Sequence, residues 1–215
     1  DTKNIERMTK TLEHRGPDAT QFMQDGVIQL GHTRLAIIDV KDGQQPMQRT
    51  VGDETYTMVY NGELYNTDEL RHYLVDQGYQ FTTRSDTEVL LYAFIHWGSE
   101  CVERLNGIFA FAIYMHHEKK LFIARDRFGV KPLFYSYNDG IFLFASEIKA
   151  LLSHPLCSPI VNKDGLALLL TIGPSRVPGK TVYERILELP PGYYLSMHNE
   201  KLTIGRYYSI ESKTH

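Results

Sequence analysis

Gly107-Ile-Phe-Ala-Phe-Ala-Ile-Tyr-Met115, His116-His-Glu-Lys-Lys120 and Leu121-Phe-Ile-Ala124 read as two runs of strand formers joined by a polar turn. Aromatic and branched side chains suit a pleated, buried surface, and the charged residues between the runs predict a hairpin. The pattern repeats at once. Leu133-Phe-Tyr-Ser-Tyr137 and Ile141-Phe-Leu-Phe-Ala145 flank Asn138-Asp-Gly140, a strong turn signal. Tight hairpins join antiparallel strands only.

Outward from these hairpins the chain alternates between classes of element. Towards the N-terminus, Ile5, Met8 and Leu12 recur at helical spacing and predict a helix over 2–13, stopped by Gly16-Pro17. Strands are expected at 26–30, 34–40 and 55–60, with a polar turn at 41–46 and a further turn at 60–63. Asn66 with Glu69, and Ser85 with Glu88, match the pattern of a helix start capped by a side chain, with Gly78 and Gly98 as the stops. Beyond the hairpins, a helix is expected at 162–172, broken by Gly173-Pro174, then strands at 183–188, 192–197 and 202–208. Helices, then hairpins, then helices again argue for an α+β layered domain and against a doubly wound parallel sheet.

A chain of 215 residues suits one domain or a compact pair, and should bury roughly 70% of its unfolded surface. A net charge of −3 gives no basic face, so nucleic acid is not an expected partner. The pair Lys119-Lys120 falls in a turn and reads as solvated. Two cysteines make no disulfide framework, which favours a reducing, cytoplasmic setting. The most apolar run, Leu166-Ala-Leu-Leu-Leu-Thr-Ile172, falls far short of the ~20 residues of a membrane helix, and no signal peptide is evident. The start at Asp1, without Met, suggests a trimmed or processed N-terminus.

Four segments gather more polar chemistry than a core needs. Arg34 fronts the apolar run Leu35-Ala-Ile-Ile38. A guanidinium fork can hold a carboxylate through two hydrogen bonds, although a strand-end arginine on the surface would look the same. Asn61-Gly62-Glu63 offers an amide, a bare backbone and a carboxylate. Such an amide and a glycine N–H can hold an oxyanion, but Asn-Gly is also the commonest hairpin turn. Asp86 after Ser85 is either a local helix-start acid or a carboxylate placed for a ligand ammonium. Arg125-Asp-Arg-Phe-Gly129 with Lys131 reads as a buried charge network that supports the fold. The nine histidines show no metal pattern, and no metal is assigned. Cys101 reads as a buried structural residue and Cys157 as an incidental loop residue.

Taken in order, His14-Arg-Gly-Pro-Asp18, Arg34-Leu35 with Asp39, Tyr60-Asn-Gly-Glu-Leu-Tyr-Asn66, Ser85-Asp86 with Glu88, Phe109-Ala-Phe-Ala112, Arg125-Asp-Arg-Phe-Gly129 with Lys131-Pro132, and Ala145-Ser-Glu-Ile-Lys149 resemble the class II glutamine amidotransferase domain of glutamine-dependent asparagine synthetases. The resemblance implies an N-terminal-nucleophile hydrolase fold: a four-layer α/β/β/α sandwich of two antiparallel sheets, spanning 1–208, with 209–215 beginning a linker. It also implies hydrolysis of glutamine to glutamate and ammonia, for ATP-dependent amidation of aspartate. Arg34 would hold the substrate carboxylate, and Glu63 and Asp86 its ammonium. Asn61 and the Gly62 N–H would form the oxyanion hole, with Leu35, Ile37 and Ile38 lining the pocket. Family members open on a cysteine whose thiol attacks the amide. No such cysteine stands in this sequence, so these 215 residues alone are expected to be inactive. The resemblance implies no cofactor in this domain, with ATP and magnesium held by a C-terminal synthetase domain of the same chain. A homodimer is left open. The rival expectation is a non-hydrolysing relative with a structural role, as in β-lactam-forming synthetases.

Overall fold

A computed structural model describes residues 2–35, 43–172 and 177–210. In chain order the elements are α1 (Thr2–Lys10), β1 (Ala19–Asp25), β2 (Ile28–Arg34), β3 (Met47–Val51), β4 (Glu54–Leu64), α2 (Thr67–Asp76), α3 (Asp86–Trp97) and α4 (Cys101–Arg104). They continue with β5 (Gly107–Met115), β6 (Lys120–Arg125), β7 (Phe134–Asn138), β8 (Ile141–Ala145), α5 (Ile148–Leu152), α6 (Lys163–Ile172), β9 (Leu187–Glu188), β10 (Tyr193–His198) and β11 (Lys201–Arg206). The chain divides into two compact units. One takes the N-terminal stretch with Pro132–Pro190, the other Met47–Lys131 with the stretch that begins at Pro191.

The second unit is built on the sheet that the first hairpin predicts. Its strand order is β11-β10-β6-β5-β4-β3, and every neighbouring pair is antiparallel. α3 buries an unbroken run from Thr87 to Phe94, so it is a core helix and not an amphipathic surface one. Its Phe94 meets Phe122 of β6 with ring centroids 5.1 Å apart, and Phe122 meets Phe111 of β5 at 6.1 Å. Ser85 caps the helix by accepting from Thr87 N at 3.1 Å, and Gly98 ends it at φ +60°.

In the first unit β1 and β2 form one antiparallel pair, and β8-β7-β9 a three-stranded sheet. Asn138 pairs with Ile141, so Asp139-Gly140 is a two-residue turn. Both residues have positive φ, which the Asn-Asp-Gly signal anticipates. Met8, Phe134, Ala145, Leu151, Cys157 and Ile186 form the core. Cys157, read as incidental, is therefore a core residue.

Several boundaries differ from expectation. The strand expected at 26–30 is the hairpin partner of an unforeseen β1, and Arg34 ends β2 where a new strand was expected to begin. Residues 36–42 and 173–176, with the expected pocket residues Ile37 and Ile38 and the Gly173-Pro174 break, lie outside the described residues, as do 211–215. The first helix ends at Lys10, followed by a short turn of 3-10 helix at Glu13–Arg15. Of the strand expected at 183–188 only Leu187–Glu188 forms. Asn66 precedes α2 as expected, but its side chain does not cap the helix. It accepts from Asn106 N and donates to Arg104 O, both at 3.0 Å.

Candidate active site

The largest difference from the sequence reading lies at Asn61-Gly62-Glu63. These residues do not turn; they continue β4, paired with Ala110, Phe109 and Ile108 of β5. Phe109 spends both backbone groups on the β6 side, donating to an Asp126 carboxylate oxygen at 3.3 Å and accepting from Asp126 N at 2.7 Å. Gly62, its partner, must then belong to a non-hydrogen-bonded pair and turn its own N–H and C=O away from β5. That edge of β4 is covered by β3 only as far as the Met47–Met58 pair. Leu64, two residues on, presents its N–H to the same edge, and there it donates to Asp86 Oδ2 at 3.2 Å. The Gly62 N–H and the Leu64 N–H that holds the Asp86 carboxylate thus lie on the same edge of β4. Tyr60, Gly62 and Leu64 point to one face of β4, and Asn61 and Glu63 to the other. Tyr60 and Leu64 are buried, whereas Glu63 is exposed.

Gly62 is a glycine for steric reasons. A β-carbon there would strike the Ile108 carbonyl oxygen and come within 2.6 Å of Cε2 of the Tyr60 ring. The Tyr60 hydroxyl donates to Asp86 Oδ2 at 2.8 Å. Burial, with the Asp86 charge behind it, pushes the Tyr60 phenol far above its ordinary value, so it remains a donor. Asp86 is the first residue of α3, where the helix dipole also favours its charge.

Two buried carboxylates hold the loops of the same unit. Asp126, 1% exposed, accepts from the N–H groups of Phe109, Phe128, Val130 and Lys131. Arg125 ties the same loop through Lys131 O at 2.7 Å and Gly129 O at 2.8 Å. Arg125 and Asp126 of this segment are buried and bind backbone groups, so they support the fold, whereas Arg127 and Lys131 are only half-buried. Glu88, in the first turn of α3, accepts from Thr82 and Thr83 through backbone and side chain, and from Arg49 at 2.7 Å. Burial alone would raise its pKa, but the Thr82 and Thr83 N–H groups and the Arg49 guanidinium hold it below the ordinary value.

In the first unit the site candidates are Arg34 and Leu35. The segment His14-Arg-Gly-Pro-Asp18 wraps the end of β2: Asp18 N donates to Arg34 O at 3.0 Å, and Pro17 bridges to Arg34. A β-carbon on Gly16 would lie 2.5 Å from Arg34 N, so only glycine lets the segment close over that strand end. Leu35 is exposed. Glu147 joins two of the quoted motifs by accepting from Arg15 and His14 at 3.0 Å each and from Lys149 at 3.1 Å.

His32, in β2, is a titrating group the sequence does not reveal. Burial, and then the Arg34 charge, lower its pKa from 6.5 to about 4. The unfolded chain therefore takes up this proton at a higher pH than the folded chain. The stability His32 contributes is full above pH 6.5 and lost as pH falls towards about 4, by on the order of 3 kcal/mol. Urea midpoints of a His32→Gln variant should fall less steeply than wild type across that window. Parallel slopes would exclude His32 as the source.

Cys101 and Cys157 are free and buried, and burial pushes both thiols above their ordinary range. Neither is poised as a nucleophile. Among the described residues no group of three or more His, Cys, Asp or Glu side chains could hold a metal ion, and no helix is long and apolar enough to cross a membrane.

Comparison with known proteins gives a consistent result. A family profile described as "Glutamine amidotransferase domain" matches residues 1–208. The chain is 46% identical over 213 residues to "Asparagine synthetase [glutamine-hydrolyzing] 3" of Bacillus subtilis, covering 99% of this chain and 35% of that protein. It is 35% identical over 214 residues to "Asparagine synthetase [glutamine-hydrolyzing] 2" of the same organism, covering 96% of this chain and 28% of that protein. The chain thus spans about a third of the length of these curated relatives. Among solved structures, the glutamine phosphoribosylpyrophosphate amidotransferase from B. subtilis, complexed with ADP and GMP, superposes with a TM-score of 0.59 at 25% identity, covering 83% of this chain and 34% of that one. The likeness carries the fold class: α+β, of the N-terminal-nucleophile hydrolase type.

Proposed function

Because the chain belongs to the class II glutamine amidotransferase domain family, we propose that it is the glutamine-hydrolysing domain of an asparagine synthetase. The observation that supports the reading is one edge of β4, which carries the Gly62 N–H and, two residues on, the Leu64 N–H that holds the Asp86 carboxylate of α3. Glutamine is a zwitterion with a reactive side-chain amide. It needs a cation for its carboxylate, anions for its ammonium and donors for the oxyanion that forms when the amide carbon is attacked. Arg34 supplies the first, Asp86 and Glu63 the second, and Asn61 with the Gly62 N–H the third. By the family resemblance, Leu35, Ile37 and Ile38 would line the pocket.

The nucleophile on this reading is an amino-terminal cysteine, with its own α-amino group as base. Its sulfur adds to the amide carbon, ammonia leaves with the transferred proton, and water releases glutamate from the thioester. Asn61 and Gly62 hold the oxygen through both tetrahedral stages. ATP and magnesium serve a synthetase domain elsewhere in the longer protein, where the ammonia amidates aspartate, and the setting is cytoplasmic.

Glutamate release by the full-length protein tests this reading. Asp86→Asn should lower kcat/KM for glutamine by roughly 10–100-fold, the effect of losing one charge-assisted contact. Its melting temperature should change little by comparison. An unaltered dependence on glutamine concentration would remove Asp86 from substrate binding.

A further inference from the structure

Resting on the reading of Asp86 given above, we infer that Tyr60 is a positioning residue for that carboxylate, and that Gly62 lacks a side chain partly to let the Tyr60 ring reach it. Asp86 Oδ2 is held from two directions, by the Tyr60 hydroxyl at 2.8 Å and the Leu64 N–H at 3.2 Å. Both donors come from β4, the strand that carries the Gly62 N–H, so one strand fixes the oxyanion donor and the ammonium acceptor together. The oxygen left for the substrate is Oδ1. A carboxylate at a helix start has broad rotational freedom about its last torsion, and two donors on one oxygen remove it.

The steric evidence is independent of the hydrogen bonds. Tyr60 and Gly62 lie on the same face of β4, and a β-carbon at position 62 would fall 2.6 Å from Cε2 of Tyr60. The ring therefore crosses the space that any other residue at 62 would fill. Tyr60 is 4% exposed, so the ring is confined and its hydroxyl has a fixed direction. Gly62 then has two functions that one residue must meet at once, as a backbone donor on that edge of β4 and as a gap for the ring.

Tyr60→Phe in the full-length protein removes the hydroxyl and keeps the ring. KM for L-glutamine should rise about tenfold, well beyond any fall in kcat, since the lost bond is charge-assisted and acts on substrate binding. Preference for L-glutamine over glutaramate, which lacks the α-amino group, should fall in parallel; a purely structural role for Tyr60 would not change that ratio. Adding Tyr60→Phe to Asp86→Asn should cost no more than Asp86→Asn alone, because one residue acts through the other. If Asp86→Asn raises KM but Tyr60→Phe leaves both KM and the preference at wild-type values, the role of Tyr60 is overturned and that of Asp86 stands. Additive effects in the double variant overturn it too. If Asp86→Asn itself leaves KM unchanged, the reading of Asp86 falls and the inference with it.

Discussion

Replacing Asn61 with Ala should lower glutamine turnover by the full-length protein roughly 10²–10³-fold, the usual effect of removing one preorganised oxyanion donor. The residue sits in β4 opposite Ala110, on the less buried face of the strand, so its backbone pairing survives the change. A side chain that neither fills the core nor holds the sheet should cost little stability when shortened, within about 1 kcal/mol. The signature is a fall in kcat with KM nearly unchanged, since the donor acts on an oxygen that becomes an anion only after attack. Steady-state glutamate release is the measurement. Equal kcat in variant and wild type would mean that Asn61 does not meet the oxyanion.

Glu88→Ala should be the most destabilising of these substitutions, by about 3–5 kcal/mol. The side chain is fully buried, and six donor atoms converge on it: N and Oγ1 of both Thr82 and Thr83, and Nε and Nη2 of Arg49. Truncation leaves a partly buried guanidinium and two threonines without their acceptor. For a chain of this size the melting temperature should drop by roughly 10 °C. The pH dependence gives a second readout. Because the folded pKa of Glu88 lies below its ordinary 4.5, its contribution is full above that value and lost as pH falls through the lower folded pKa. Removing Glu88 should flatten stability below about pH 4.5, a window centred lower than the one assigned to His32, which spans pH 6.5 to about 4. A melting temperature within 2–3 °C of wild type, at roughly the resolution of a 1 kcal/mol effect, would contradict the convergence on Glu88.

The elements that local chemistry decides were legible in the sequence. Both hairpins formed where a polar or Asn-Asp-Gly turn interrupts strand formers, and α3 started at Ser85 and stopped at Gly98 as read. What sequence alone missed depends on partners distant in the chain. Asn61-Gly62 carries a common local turn signal, yet pairing with β5 keeps it extended, and the glycine answers the Tyr60 ring and the Ile108 carbonyl instead. Glu88 looked like the acid of a helix cap because Arg49, 39 residues earlier, gives no local sign of reaching it. Asp86 was singled out, but its holders Tyr60 and Leu64 were not, since only the folded strand brings them to it. Cys157 looked incidental because a loop sequence does not reveal that the loop lies across a core. The candidate residues themselves came from the order of motifs along the chain, which no single turn or cap could have supplied.

On the proposed function, this domain takes nitrogen from glutamine for transfer to another acceptor. The direct measurement supplies the full-length protein with aspartate, magnesium, ATP and glutamine carrying heavy nitrogen in its side-chain amide, and follows the products by mass. The expected result is one glutamate released for each asparagine formed, with the heavy nitrogen in the asparagine amide, and loss of both products in the Asn61→Ala variant. Glutamine left intact under these conditions, with asparagine formed only from added ammonia, would contradict it.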